Sequence, residues 1–141
     1  MKEWIARIAF TLVFFINVMC ALQFLVDPAS YVGAYQLEGE GAEAAIRGYG
    51  VVFLMWNATY PIFIAKPTGF KVLGAIILLQ QAIGFLGESL IFVTLPEAGT
   101  EMLASSVLRF MAFDGAGLLV MLAAYLFLIA GSKSSPKAAA S

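Results

Sequence analysis

Leu79-Gln80-Gln81-Ala82-Ile83-Gly84-Phe85-Leu86-Gly87-Glu88-Ser89 lies inside a long apolar run and carries two amides, two glycines and a carboxylate. At about 100° per residue, Gln80, Gln81, Gly84, Gly87 and Glu88 fall within an arc of roughly 140°. Leu79, Ile83, Leu86 and Leu90 take the other side. An ionisable group at membrane depth is expensive, so it normally faces a bundle interior and has a partner. The stretch therefore marks the polar centre of a membrane-embedded helical protein.

The rest of the chain fits that setting. Of 141 residues, 62% are hydrophobic and 12% charged, with a mean hydropathy of +0.92. Soluble domains run at about 45–50% apolar and about 25% charged. A span needs about 20 largely apolar residues, and four segments qualify: 4–26, 45–65, 72–94 and 103–130. The expected fold is all-α, a single integral-membrane four-helix bundle over 1–130, with a flexible cytoplasmic tail at 131–141.

In the first span the basic start could suggest a signal peptide, but the run is too long and lacks a small-x-small cleavage site. Asn17 shares a face with Phe10, Phe14, Ala21 and Phe24, which suits an interhelical hydrogen bond. Asp27-Pro28 ends this helix, since a residue before proline is pushed out of helical geometry. Pro28–Tyr35 reads as a short interfacial helix with Tyr31 and Tyr35 at headgroup depth. The acidic connection after it reads as a solvated loop, without EF-hand spacing. In the second span Arg47, Gly50, Asn57, Ala58 and Pro61 share a face, and Pro61 should kink the helix. Trp56 falls opposite them, at mid-depth, as a packing residue or a partner contact.

Charge sorts sharply by loop. The two ends and the turn between spans two and three hold Lys2, Arg7, Lys66, Lys71, Lys133 and Lys137 against Glu3 alone. The other two loops hold Asp27, Glu38, Glu40, Glu43, Glu97 and Glu101. By the positive-inside rule both termini are expected in the cytoplasm. Arg47, Glu88, Arg109 and Asp114 then sit in the outer half or centre, Glu88 and Arg109 each roughly 9 Å deep at 1.5 Å per residue. The expected pairing is Glu88 with Arg109, then Arg47 with Asp114.

Ile46-Arg47-Gly48-Tyr49-Gly50, Phe53-Leu54-Met55-Trp56-Asn57, Gln81-Ala82-Ile83-Gly84-Phe85-Leu86-Gly87-Glu88 and Arg109-Phe110-Met111-Ala112-Phe113-Asp114 carry a resemblance. The chain resembles small bacterial four-helix membrane proteins of the DoxX-like kind over about Ile5 to Ala130. The resemblance implies the four-helix topology. Members of that family are linked to sulfur oxidation or oxidative-stress complexes, and no catalytic residue is carried over from them.

The site expected from sequence is a buried network or pocket of Arg47, Asn57, Gln81, Glu88, Arg109 and Asp114. Two functions compete for it. In the leading one the network staples the helices of a non-enzymatic accessory or scaffold subunit of a membrane complex, although a buried ion pair is weak evidence of stability. In the alternative, the outer half binds a quinone or other lipophilic molecule among Phe, Met and Trp side chains. Proton or ion translocation is a lesser third reading, because no polar residue continues through the cytoplasmic half. The chain has one cysteine and no histidine, hence no disulfide, zinc set, haem ligand or iron–sulfur set of its own. It shows no nucleophile–base pair or phosphate loop. The expected partners are the bilayer and another membrane protein or a second copy, and not nucleic acid.

Overall fold

The computed structural model describes residues 1–96 and 98–130. Helix α1 (Lys2–Val26) is followed by a short α2 (Ala29–Val32) and a 3-10 turn (Gly33–Tyr35), then α3 (Glu40–Asn57), α4 (Tyr60–Ala65), α5 (Lys71–Thr94) and α6 (Glu101–Ala130). With α3 and α4 taken together, four helices are long and apolar enough to cross a membrane. Glu97 and residues 131–141, where the tail with Lys133 and Lys137 was expected, lie outside the described residues.

Local chemistry explains the boundaries. Asp27 leaves helical geometry before Pro28. Gly39 starts α3 from φ +80°, a region that favours glycine. The second span begins earlier than expected, at Glu40 rather than residue 45, and it breaks instead of kinking. Pro61 has no N–H to donate back to Asn57, so the helix stops there and restarts at Tyr60. Asn57 Nδ2 caps the preceding turn by donating to the Phe53 carbonyl at 2.8 Å. This break also scatters the face expected on that span: Gly50 and Asn57 are buried, whereas Arg47, Ala58 and Pro61 are exposed.

Helix α1 packs against α3, α4 and α6, and α6 packs against α5. The short α4 closes the ring by touching both α1 and α5. The start of α1 and the last turns of α6 lie at the α4 end. There Lys2 Nζ stands 4.8 Å from the Phe127 ring centre, and Arg7 donates to the Ala65 carbonyl at 2.9 Å. The opposite end is covered by α2 and the 3-10 turn, tied down by Gln36 Nε2 donating to the Gly99 carbonyl at 2.7 Å.

The two ends are packed differently. The apolar core belongs to the termini end, where Phe10, Tyr60, Phe63, Ile77 and Met121 are fully buried. Gly74 permits this packing, because a Cβ there would lie 2.5 Å from the Phe63 ring. At the far end α3 replaces α4 and packs mainly on α1 and α2, meeting α5 through the Trp56 ring at Gly84. That end is left with cavities. Leu79, Ile83, Leu86 and Leu90 point outward, each at least 60% exposed, as an apolar face meant for lipid would be.

Candidate functional site

A layer of hydrogen-bonded polar groups separates the apolar core from the cavities. Asn17 of α1 donates to Asn57 Oδ1 at 3.4 Å. Gln81 of α5 donates from Nε2 to Asp114 Oδ1 at 2.9 Å and accepts from the Tyr60 hydroxyl at 3.4 Å. Gln81, Asn57 and Asn17 are 1%, 2% and 7% exposed. Buried polar groups are tolerated when they are bonded in this way. Five residues from five helices thus form a floor, with a small space between them lined by Asn17, Phe53, Trp56, Asn57, Gln81 and Asp114. Gly117 sits in ordinary contact beneath it, a Cβ there lying 3.5 Å from both Gln81 Nε2 and Val13.

Two chambers rise from this floor toward the far end. The first, of about 260 Å³, lies between α1 and α6. Its lower wall carries Asn17 and Asp114, its middle Cys20, Phe53 and Phe113, and its upper part Gln23, Tyr31, Ser106 and Arg109. Tyr31 donates to Gln23 Oε1 at 2.6 Å and so fastens the roof to α1. Arg109 stands at the mouth. It lines both this chamber and a shallow outer groove formed with Gly33, Gln36 and Ser105.

The second chamber, of about 290 Å³, lies between α3 and α5 and holds Glu88. Phe53, Tyr35 and Phe110 line both chambers and form the wall between them. The Tyr35 ring stacks against Tyr49 on one side and Phe110 on the other, with centroids 6.3 Å apart in each pair. Burial of that ring pushes the Tyr35 hydroxyl above its ordinary pKa of 10.0, and nearby Cys20, Glu88 and Tyr49 push the same way against Arg109.

The expected charge pairs do not form. Arg47 is 52% exposed, reaches Glu43 one turn away at 3.5 Å, and lines neither chamber. Arg109 is exposed and donates to Ser106 Oγ at 3.3 Å. Glu88 makes no hydrogen bond or ion pair among the described residues, and its Oε2 is buried. The cause is the aromatic wall: Arg109 lines the α1–α6 chamber and Glu88 the α3–α5 chamber. Of the six residues read from the sequence, Asn57, Gln81 and Asp114 come together at the floor, Glu88 and Arg109 divide between chambers, and Arg47 falls outside.

Sequence reasoning left several lining groups out of the site. Asn17 and Tyr60 belong to the floor, and the mid-helix position of Asn17 in an apolar run was their available signal. Tyr35, Phe53 and Phe110 had no such signal, because an aromatic in a hydrophobic span has no distinguishing pattern. Trp56 packs its ring tip against Gly84, where a Cβ would lie 2.7 Å away, so that glycine makes the close approach possible.

The fold and site are those of a candidate multi-pass membrane protein with ligand-sized chambers at one end. No family model, curated protein or solved structure matches the chain.

Proposed function

We propose that this chain is a multi-pass inner-membrane protein, with both termini cytoplasmic, that binds a lipophilic ring compound of the quinone kind between α1 and α6. The observation that carries the reading is the form of that chamber: aromatic walls above a bonded polar floor, with Asp114 at the bottom and Arg109 at the mouth. Apolar walls with a few converging polar groups are the usual make-up of a small-molecule site. Asp114 Oδ1 is held by Gln81 and Oδ2 lies toward Gly84, so the carboxyl is fixed at the chamber's base. Arg109, half in the outer groove, offers donors to a carbonyl or an anionic substituent as the ligand enters.

The orientation rests on the basic loops gathering at the α4 end, which puts the chambers in the outer half of the bilayer. The DoxX-like resemblance belongs to the same proposal. Of the residues quoted for it, Phe53, Trp56, Gln81, Glu88, Arg109 and Asp114 line the floor and chambers. With no histidine and a single cysteine to bind a redox centre, the chain holds the ring compound for chemistry done elsewhere. It would act as a non-enzymatic accessory subunit. The stapling assigned to the Glu88–Arg109 pair passes to the hydrogen-bonded floor.

Gentle extraction into lipid nanodiscs, followed by solvent extraction and mass spectrometry, tests this. A ring-containing lipid near one per chain is expected, reduced at least about tenfold in Asp114→Leu. Bulk phospholipid alone, in both proteins, would reject the reading.

A further inference from the structure

The α3–α5 chamber poses a separate chemical question, because two of its polar atoms are buried without a partner. One is Trp56 Nε1, which can only donate; the other is Glu88 Oε2. Both residues line the same chamber, on facing helices. Buried polar atoms are almost always satisfied, and one left alone is costly. Two in one cavity describe what should fill it.

Their chemistry narrows the occupant. A carboxylate at Glu88 disfavours an anion. An ammonium donates only, so it would leave the Trp56 N–H unanswered. A hydroxyl both accepts and donates, and it can serve the two atoms together. The remaining wall is aliphatic, aromatic or glycine, and its other polar side chains are the phenols Tyr35 and Tyr49. At about 290 Å³ the chamber takes a head and the first part of a chain, not a whole lipid.

The way in is sideways. α3 reaches α5 where the Trp56 ring meets Gly84, and beyond that point the two helices line the chamber between them. Ile83 and Ile91 on the rim are 60% and 50% exposed, and a Cβ added at Gly87 would meet nothing within 4 Å. On the membrane placement proposed above, this rim opens to lipid. We propose that the groove between α3 and α5 is a second binding site, distinct from the Asp114 chamber, for a neutral hydroxyl-headed amphiphile drawn from the bilayer. Trp56 donates to the hydroxyl oxygen, Glu88 Oε2 accepts a hydrogen bond from the hydroxyl, and the alkyl body leaves between Ile83 and Ile91. Gly84 holds the indole in position from behind.

The chain has two tryptophans, so Trp4→Phe leaves Trp56 as the only indole reporter. The full chain carrying that change, in nanodiscs, would be titrated with dodecanol, dodecyl methyl ether and dodecylamine. A saturable change in Trp56 emission is expected with the alcohol and at least about tenfold weaker with the ether, which cannot donate. Glu88→Leu should weaken the alcohol at least about tenfold, and Glu88→Gln, which keeps an acceptor, by no more than about threefold. An excess of a short-chain ubiquinone should leave the alcohol midpoint unchanged, which separates this site from the ring-compound chamber. Equal response to alcohol and ether, or preference for the amine, would overturn the assignment. If Glu88→Leu does not reconstitute, the alcohol–ether comparison on the chain retaining Glu88 decides the matter alone.

Discussion

Gln81 on α5 and Asp114 on α6 meet side chain to side chain at 2.9 Å, and through Gln81 the bond extends to Tyr60 on α4. Three helices are thereby held at the level where the packed half of the bundle gives way to the hollow half. Gln81→Leu should lower unfolding stability in detergent by about 1–3 kcal/mol, since it strands a carboxyl oxygen and a buried tyrosine hydroxyl. A double-mutant cycle of Gln81→Leu with Asp114→Leu should show coupling of at least about 0.5 kcal/mol, whereas Glu88→Gln with Arg109→Gln should be additive. The reverse pattern would restore the Glu88–Arg109 staple and remove the Gln81–Asp114 one.

Gly84 and Gly87, one turn apart, make a sharp contrast. A methyl at Gly84 would lie 2.7 Å from the Trp56 ring and 2.8 Å from Asp114 Oδ2, while one at Gly87 would meet open space. Gly84→Ala should therefore cost about 1–3 kcal/mol through overpacking. Gly87→Ala should stay within about 0.5 kcal/mol. Thermal unfolding of the two variants side by side checks this, and equal effects would contradict it.

These two glycines also show what the sequence could and could not convey. Helical angle alone put Gln81, Gly84 and Glu88 on one face of α5 and its leucines on the other, and the structure turns those faces inward and outward respectively. The four long apolar helices, the Asn17 contact and the helical segment after Pro28 were legible for the same reason: each depends on local pattern. Pairing across helices was not. Glu88 and Arg109 share a depth, but depth says nothing of the Tyr35–Phe53–Phe110 wall that divides them. Likewise, the face drawn for the second span assumed a continuous helix through Pro61. Once that helix breaks at Ala58, angles counted across the break lose their meaning.

Tyr35 supplies a pH dependence. Its hydroxyl titrates above 10.0, chiefly because the ring is buried. With the folded value above the unfolded one, its contribution to stability is complete below pH 10 and is lost as the pH rises through the folded value. Thermal unfolding between pH 9 and about 11 should show stability falling in the native chain, with a shallower fall in Tyr35→Phe. Parallel pH profiles would mean that the ring does not carry the wall's alkaline sensitivity.

The account's central claim is that the chamber between α1 and α6 receives a ring compound. Cys20 is the chain's only thiol, and it lines that chamber half-buried. The direct measurement is the rate at which N-ethylmaleimide modifies Cys20 in nanodiscs as a short-chain ubiquinone is added. The account predicts a saturable fall in that rate, which dodecanol does not reproduce and which Asp114→Leu abolishes. A rate unchanged at saturating quinone, or lowered equally by dodecanol, would contradict it.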